Sequence, residues 1–368
     1  MKAKRAKTPS AAATQLRSGQ GHPFAPLRSY VPLGGGEYRL YQSLREALPV
    51  LDAAIEKLVR LSGSMSVVCE NPAAQKGLTE FLRTVPCGRG QRGIDSFLSA
   101  YLGSLLTYGR AVGEMIVSQG QLAAVCWGDV AQLQVEEGDS PMEFSLCAYD
   151  ENGTLRRLPY QHLLLFTTLN PEPANPYGVS LLRSMPFLAD ILLKIYNTIG
   201  VNWERAGNVR YAVVCKPDAA DRGSASERAE AIAQEWSEAM QDFVAVGDVS
   251  VKVIGSDGQI LDSEVPVRQI MEQLVAKTGL PPFLLGLSWS TTERMSRQQA
   301  DMLTSELWSI RRTVEPALLR ICELWLRLNG FGGGAEIVWE DISLQDLVEE
   351  AQAQLYRAQA QKLNSEKG

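Results

Sequence analysis

Asn175-Pro176-Tyr177-Gly178-Val179-Ser180-Leu181-Leu182 separates two halves of the chain that have different periodicities. Proline fixes φ near −65° and glycine accepts positive φ, so an Asn-Pro-Tyr-Gly run breaks regular structure. Ser180 is a helix-capping residue type, with a side-chain oxygen able to accept an N–H of a first turn. The run behind it predicts a long helix over 179–206, which Pro186 bends or restarts and Gly207-Asn208 ends.

Downstream of this break the pattern is helix, insert, helix. Residues 207–264 read as a small α/β insert with a strand at Val209–Cys215, a helix at Ser226–Phe243, and strands at Val249–Ile254 and Ile260–Leu261. A second helix, Pro266–Thr278, lies within 265–280, and a loop over 281–296 leads to a long helix at 297–329 with Pro316 near its middle. A proline there removes one helical N–H and bends the axis. A strand at Ile337–Trp339 and a charged helix at Leu344–Lys362 finish the chain.

Upstream, apolar residues at Leu44, Leu48, Leu51, Ile55, Leu58 and Leu61 predict one amphipathic helix over Tyr38–Ser62. A strand at Val67–Cys69 and helices at Lys76–Arg83 and Asp95–Tyr108 follow. The period then shortens. Ala111–Val117 and Leu122–Trp127 flank Gln119-Gly120, a hairpin signal, and Ala131–Val135, Phe144–Tyr149, Thr154–Leu158 and Leu163–Thr167 continue as strands. The fold class is α+β. Residues 1–36 hold six Lys or Arg and no acid, and end in Gly34-Gly35-Gly36; they read as a flexible basic arm, either a plain tail or a strap on a partner or nucleic acid.

Composition narrows the function. The 368-residue chain is 45% hydrophobic and 21% charged with a net charge of −6, which argues against tight wrapping of nucleic acid. Its six cysteines (Cys69, Cys87, Cys126, Cys147, Cys215, Cys322) lack metal or disulfide-framework spacing and read as buried free thiols. Only His22 and His162 are present, and no phosphate-binding glycine loop, zinc-protease helix or nucleophile elbow occurs. Glu340, Asp341 and Asp346 are the one conceivable nuclease-type acidic set. No apolar run is long enough for a membrane span, and no signal peptide is evident. The reading is a non-enzyme with no cofactor, no metal and no membrane.

Six stretches then carry a resemblance. The stretch 175–182 is similar to the "N-P-x-G-x-S-x-L" start of the first stem helix of phage portal proteins, and Trp203–Asn208 is similar to its exit. Leu106-Thr107-Tyr108-Gly109-Arg110-Ala111 resembles the wing motif "L-x-x-G-x-A". Val275–Gly286, ending Gly279-Leu280-Pro281-Pro282-Phe283-Leu284-Leu285-Gly286, resembles "G-V-P-P-x-L-L-G". Ser296-Arg297-Gln298-Gln299 and Val314-Glu315-Pro316-Ala317-Leu318 match the loop-to-helix junction and the proline-kinked helix. Their order spans about residues 40–362.

The resemblance implies a portal-type subunit assembling as a ring, usually of twelve copies, at one capsid vertex of a virion. Its wing would be 37–178, its stem helices 179–206 and 265–280, its clip 207–264 and its tunnel loop 281–296. A long kinked helix at 297–329 and a reduced crown at 330–368 would complete it. The implied partners are further copies of the chain, double-stranded DNA in transit, the terminase large subunit, major capsid and scaffold proteins, and head-completion or tail adaptor proteins.

Tunnel candidates are Trp289, Ser290, Thr291, Thr292, Glu293, Arg294, Met295 and Arg297; terminase-docking candidates are Asp218, Asp221, Arg222 and Glu227; Pro316 marks the kink. Two roles are open to Arg294 and Arg297: transient phosphate contacts, or ion pairs with Glu293 or Asp301 of the neighbouring subunit. The clip holds 11 acids against 5 bases, either a DNA-repelling mouth or plain solvation. Trp308 and Trp325 read as core or interface residues of the long helix. A head-associated nuclease and a non-channel structural adaptor are the alternatives.

Overall fold

The computed structural model describes residues 35–138, 143–149, 153–172, 175–207, 210–215, 230, 234, 249–254, 263–287 and 293–342. Helices α1 (Gly35–Ala47) and α2 (Pro49–Leu61) stand where the sequence pattern predicts one helix. Pro49 is the cause. Its ring disfavours α geometry at the preceding residue, and Leu48 is extended at φ −121°, ψ 94° while staying buried in the corner. Because α1 starts at Gly35, the last two residues assigned to the basic arm belong to a helix; residues 1–34 lie outside the described residues.

Strand β1 (Met65–Cys69) leads to α3 (Pro72–Thr84), whose cap Asn71 accepts from the N–H groups of Ala73 and Ala74 through its side-chain oxygen. A short hairpin, β2 (Pro86–Gly88) and β3 (Gln91–Arg92), precedes α4 (Ile94–Tyr108). Phe97, Leu98, Tyr101, Leu102, Leu105 and Leu106 of α4 are all buried, because α1, α2, α3 and strands β2 to β5 pack around it. Each such side chain contributes roughly 2 kcal/mol by leaving water.

Strands β4 (Arg110–Ser118), β5 (Gln121–Trp127) and β9 (Leu164–Thr168) form an antiparallel sheet in the order β5-β4-β9. The β4–β5 turn has positive φ at both Gln119 (52°) and Gly120 (74°), the geometry whose twist matches a hairpin. Strands β6 (Leu133–Glu137), β7 (Phe144–Tyr149) and β8 (Leu155–Arg157) form a second antiparallel sheet, with a small core of Val112, Val130, Leu133, Leu146 and Leu164 beneath it.

Helix α5 spans Met185–Gly207 and not 179–206. Residues 181–184 are turn, and Pro186 falls in the first helical turn, where its missing N–H has no intrahelical partner to lose. The insert contributes strands β10 (Arg210–Cys215) and β11 (Val249–Ile254), paired antiparallel; its expected helix Ser226–Phe243 and strand Ile260–Leu261 lie almost wholly outside the described residues. Helix α6 (Glu264–Thr278) ends on Gly279 in the left-handed conformation (φ 71°), the usual glycine stop.

Helix α7 runs from Glu293 to Leu328 and starts four residues before the expected position. From Glu293 onward Glu, Arg, Met and Gln are good helix formers, and an acid suits the positive end of the helix. Its inner face (Leu303, Leu307, Val314, Leu318, Ile321, Cys322, Trp325, Leu326) joins the main core. Pro316 lies on the exposed face, so the Arg312 carbonyl that it leaves without a donor faces solvent. Trp325 is buried as expected, but Trp308 is 40% exposed and stacks on the Arg311 guanidinium instead of entering the core. Finally, β12 (Ala335–Trp339) pairs antiparallel with β1, joining residues some 270 positions apart into one ladder.

Arg311 fastens this ladder to α7. It is buried, donates from Nε to the Ser62 carbonyl (2.8 Å), and lies over the rings of Trp308 and Trp339 at 4.9 and 5.2 Å. Among the described residues Cys69, Cys87, Cys126, Cys147 and Cys322 are free thiols. Burial pushes Cys87 up to about 11 and Cys322 up to about 12, so both are protonated and unreactive near neutral pH.

Candidate functional site: the helix pair and its junction with the wing

Two of the motifs read separately in the sequence interlock in the fold. Gly109 ends α4 at φ +78°, and its absent side chain is where the 175–182 segment docks. A Cβ on Gly109 would lie 2.5 Å from the Ser180 nitrogen, and one on Gly178 (φ +72°) 2.5 Å from the Gly109 oxygen. Hydrogen bonds close the joint. The Leu169 N–H donates to the Gly109 carbonyl (2.8 Å), the Val179 N–H to Leu169 (2.7 Å) and the Leu181 N–H to Leu106 (3.1 Å).

Within the segment, Asn175 accepts from the Tyr177 N–H (3.0 Å) and donates to the Gly178 carbonyl (2.8 Å), an Asx turn that explains the asparagine before the proline. Ser180 is buried. Its hydroxyl donates to the Thr107 carbonyl (2.6 Å) and accepts from the Leu182 N–H (2.9 Å), so it ties α4 to the turn ahead of α5 and does not cap α5 itself. Ser180→Ala is expected to destabilise the protein by about 1–2 kcal/mol, since a buried carbonyl and an N–H both lose a partner. Denaturant unfolding of the two forms measures it.

Arg110 and Tyr177 carry the joint onward to the second sheet. The Arg110 guanidinium lies 4.4 Å from the Tyr177 ring centre and donates to the Val130 carbonyl. The Tyr177 hydroxyl donates to the Gln134 side chain (3.0 Å) and accepts from the Val135 N–H (3.1 Å). Burial lowers the Arg110 pKa and raises that of nearby Glu37, against the opposing pull of Arg183 and Arg110 on the carboxyl. The base of α5 is therefore clamped from both sheets.

From that base α5 and α6 run together. The first half of α5 is anchored by Met185, Ala189 and Leu192, and α6 by Ile270, Leu274 and Val275. Between Leu193 and Glu204 no residue of α5 is buried, yet Leu193 (39% exposed), Tyr196 (44%) and Trp203 (66%) face solvent, and Val265 on α6 does too. Leu193, Tyr196, Gly200 and Trp203 follow a three-and-four spacing along α5; Leu193 and Gly200 turn furthest from the inner stripe of Leu192 and Ile195, and Trp203 continues the line of Leu192 beyond the packed half of the helix. A contiguous apolar stripe of this kind marks an interaction surface. The sequence reading passed over it because both stripes contribute to one apolar run.

Of the tunnel candidates, Trp289, Ser290, Thr291 and Thr292 lie outside the described residues, while Glu293, Arg294, Met295 and Arg297 are in the first turns of α7 and not in a loop. Asp218, Asp221, Arg222 and Glu227 also lie outside the described residues. Glu340 is engaged locally: its carboxylate accepts from the Ser64 N–H (3.4 Å), and both Glu340 and Asp341 act on Arg311. Asp346 is outside the described residues, and among those described no group of three His, Cys, Asp or Glu side chains is placed to hold a metal. Among them, too, no helix is long and apolar enough to cross a membrane.

No protein-family model matches the chain, and no curated protein sequence does. Solved structures do. A chain in the virion of a native gene transfer agent particle aligns with a TM-score of 0.65 at 15% identity, covering 90% of this chain and 91% of that chain. A chain in the neck of the native particle, computed with C12 symmetry, aligns with a TM-score of 0.62 at 16% identity over 84% and 85% of the two chains. An HK97-family phage portal protein from Corynebacterium diphtheriae gives 0.42 at 13% identity over 80% of this chain and 94% of that chain, a likeness too loose to carry an argument. At these identities the likeness establishes fold alone: the chain shares the fold of these gene transfer agent particle chains.

Proposed function

We propose that this protein is a portal-type connector subunit, a structural component of a virion that closes into a ring through which double-stranded DNA passes. The observation that carries the reading is the fold shared, over 84% of the chain, with a chain of a C12-symmetric particle neck. The apolar stripe on α5 supports it, because a helix that leaves Leu193, Tyr196 and Trp203 in solvent is incomplete in a single copy. In this reading twelve copies place α5 and α6 side by side around a channel, with β10, β11 and the rest of the acidic insert at its mouth.

Physical chemistry favours such a wall. DNA must slide, and each phosphate held by an ion pair adds affinity that slows it. A chain with net charge −6 and an insert of 11 acids against 5 bases avoids that hold. The insert, with Asp218, Asp221, Arg222 and Glu227, would dock the terminase large subunit. The segment from Trp289 through Arg297 would meet DNA, and the wing would meet capsid, scaffold and head-completion or tail adaptor proteins. Catalysis is left to the motor.

Native mass measurement of the full chain, with electron-microscopy views down the particle axis, tests the reading. The expected result is a closed ring of 40.4 kDa subunits with an open centre wide enough for a duplex. A homogeneous 40.4 kDa species at tens of micromolar, alone and with capsid protein, would overturn it.

A further inference from the structure

Gly88-Arg89-Gly90-Gln91-Arg92-Gly93 sets two arginines among three glycines, and it forms the hairpin of β2 and β3. Its root is fixed. Cys87 is buried, with its thiol directed at the carbonyls of Val85 (3.2 Å) and Gly93 (3.0 Å), and the Gly93 N–H donates to the Val85 carbonyl (2.8 Å). The Trp127 indole fills the place of a Gly88 side chain, whose Cβ would lie 2.6 Å from its Cη2. Gly90, at φ +75°, makes the turn, and nothing lies within 4 Å of its Cβ position. A rigid base therefore holds out a tip of Arg89, Gly90, Gln91 and Arg92, all exposed.

Elsewhere on the surface arginines are held by carboxylates: Arg60 by Glu56 (2.7 Å), Arg83 by Glu80 (2.9 Å) and Arg327 by Glu323 (3.3 Å). Arg89 and Arg92 have no such partner among the described residues, and Asp95, the nearest acid along the chain, pairs with neither. Two like charges on one short hairpin repel each other, so an anion between them is favoured. A protein partner would need apolar contact at the centre of its interface, and this tip has no apolar side chain. It offers guanidinium and amide donors on a glycine backbone that a phosphate can approach closely. That donor set holds nucleic-acid backbones without reading sequence.

Position separates the hairpin from the helix pair. It leads into the first residue of α4, whereas the base of α5 docks at Leu106 to Gly109, the other end of that helix. Fifteen residues of α4 set the two about 21 Å apart along its axis. We infer that the β2–β3 hairpin is a second DNA contact, with Arg89 and Arg92 resting on phosphates of a duplex outside the channel that α5 and α6 would enclose. Two phosphates per subunit make a loose hold, in keeping with a net charge of −6, and a ring would multiply it.

Fluorescence anisotropy of a short labelled duplex, titrated with the full chain over a range of salt concentrations, tests the contact. Arg89→Gln with Arg92→Gln is expected to lower the affinity at low salt at least ~10-fold. It should also make the dependence of log K on log salt shallower by about 2 for each subunit in contact. Arg60→Gln with Arg327→Gln removes the same charge from arginines that already have partners, and should change the affinity by less than about 2-fold. Both tip side chains are exposed, so the melting temperature should stay where it is. Should the tip variant fail to fold, protection of Arg89 and Arg92 from phenylglyoxal by bound duplex, in the unmodified chain, carries the test.

Equal losses in the two double variants, or a salt dependence that the tip variant leaves unchanged, would overturn the inference. Binding of poly-glutamate that is lost in the tip variant while duplex binding stays intact would assign the hairpin to an acidic protein surface and sink the DNA contact. None of these readouts requires ring formation, so failure here leaves the connector reading untouched.

Discussion

Replacing Leu193 and Trp203 together by aspartate is expected to leave a folded monomer where the unmodified chain forms rings. Both side chains are substantially exposed in the single copy (39% and 66%), so their loss removes little from the folded body, and the melting temperature should move by no more than a few degrees. In a ring each of these side chains would be buried against a neighbour. Burying a large apolar side chain contributes roughly 1.5–3 kcal/mol, and a carboxylate placed in the same contact adds a desolvation penalty. A loss of about 4 kcal/mol per contact weakens each subunit junction on the order of 1000-fold, enough to open a closed assembly. Native mass separates the outcomes. Rings of unchanged size would show that the stripe is not the junction, whereas rings absent from the unmodified chain would count against the connector reading itself.

Gly109→Val and Gly178→Val are expected to be the most damaging single substitutions in the body. A Cβ at Gly109 would sit 2.5 Å from the Ser180 nitrogen and 2.6 Å from the Val179 carbonyl carbon; at Gly178 it would sit 2.5 Å from the Gly109 oxygen and 2.6 Å from the Leu169 oxygen. All four are backbone atoms fixed by the hydrogen bonds of the joint, so none can turn aside. A β-branched residue also resists positive φ by about 1–2 kcal/mol. The two effects together should exceed about 4 kcal/mol, a drop in melting temperature of roughly 10 °C or failure to accumulate as folded protein.

Gly90→Ala is the matched control. Its φ is +75° but nothing lies within 4 Å of its Cβ position, so only the conformational cost of about 1 kcal/mol applies. If Gly109→Val melted no lower than Gly90→Ala, the joint between wing and helix pair would be loose, and its role as a clamp would fall.

Much of the fold was legible because it is local. The hairpin at Gln119-Gly120, the burial of one face of α2, the glycine stop after α6 and the break at 175–178 all follow from residues within a turn or two of one another. The errors were also local in kind. Pro49 split a helix that the apolar periodicity alone would continue, and good helix formers from Glu293 extended α7 into a stretch read as loop. At 181–184 a cap signal served a turn and not the helix behind it. Site residues were less legible. The α5 stripe needs knowledge of which apolar face α6 already covers, and Arg311 looks in sequence like any other charged residue of an exposed helix although it is buried beneath two indoles.

The sequence by itself determined the α+β class, most of the strands and helices of the first half, and the placing of two helices on either side of an acidic insert. Those follow from turn chemistry and apolar spacing, which act over about a dozen residues. Only the tertiary structure decided that Gly109 and Gly178 fit into one another, that β1 closes against β12, and which side of α5 is left bare. The physical reason is range: a helix or turn is stabilised by its neighbours along the chain, whereas a shared ladder or a missing Cβ gains its meaning from a segment 70 or 270 residues away.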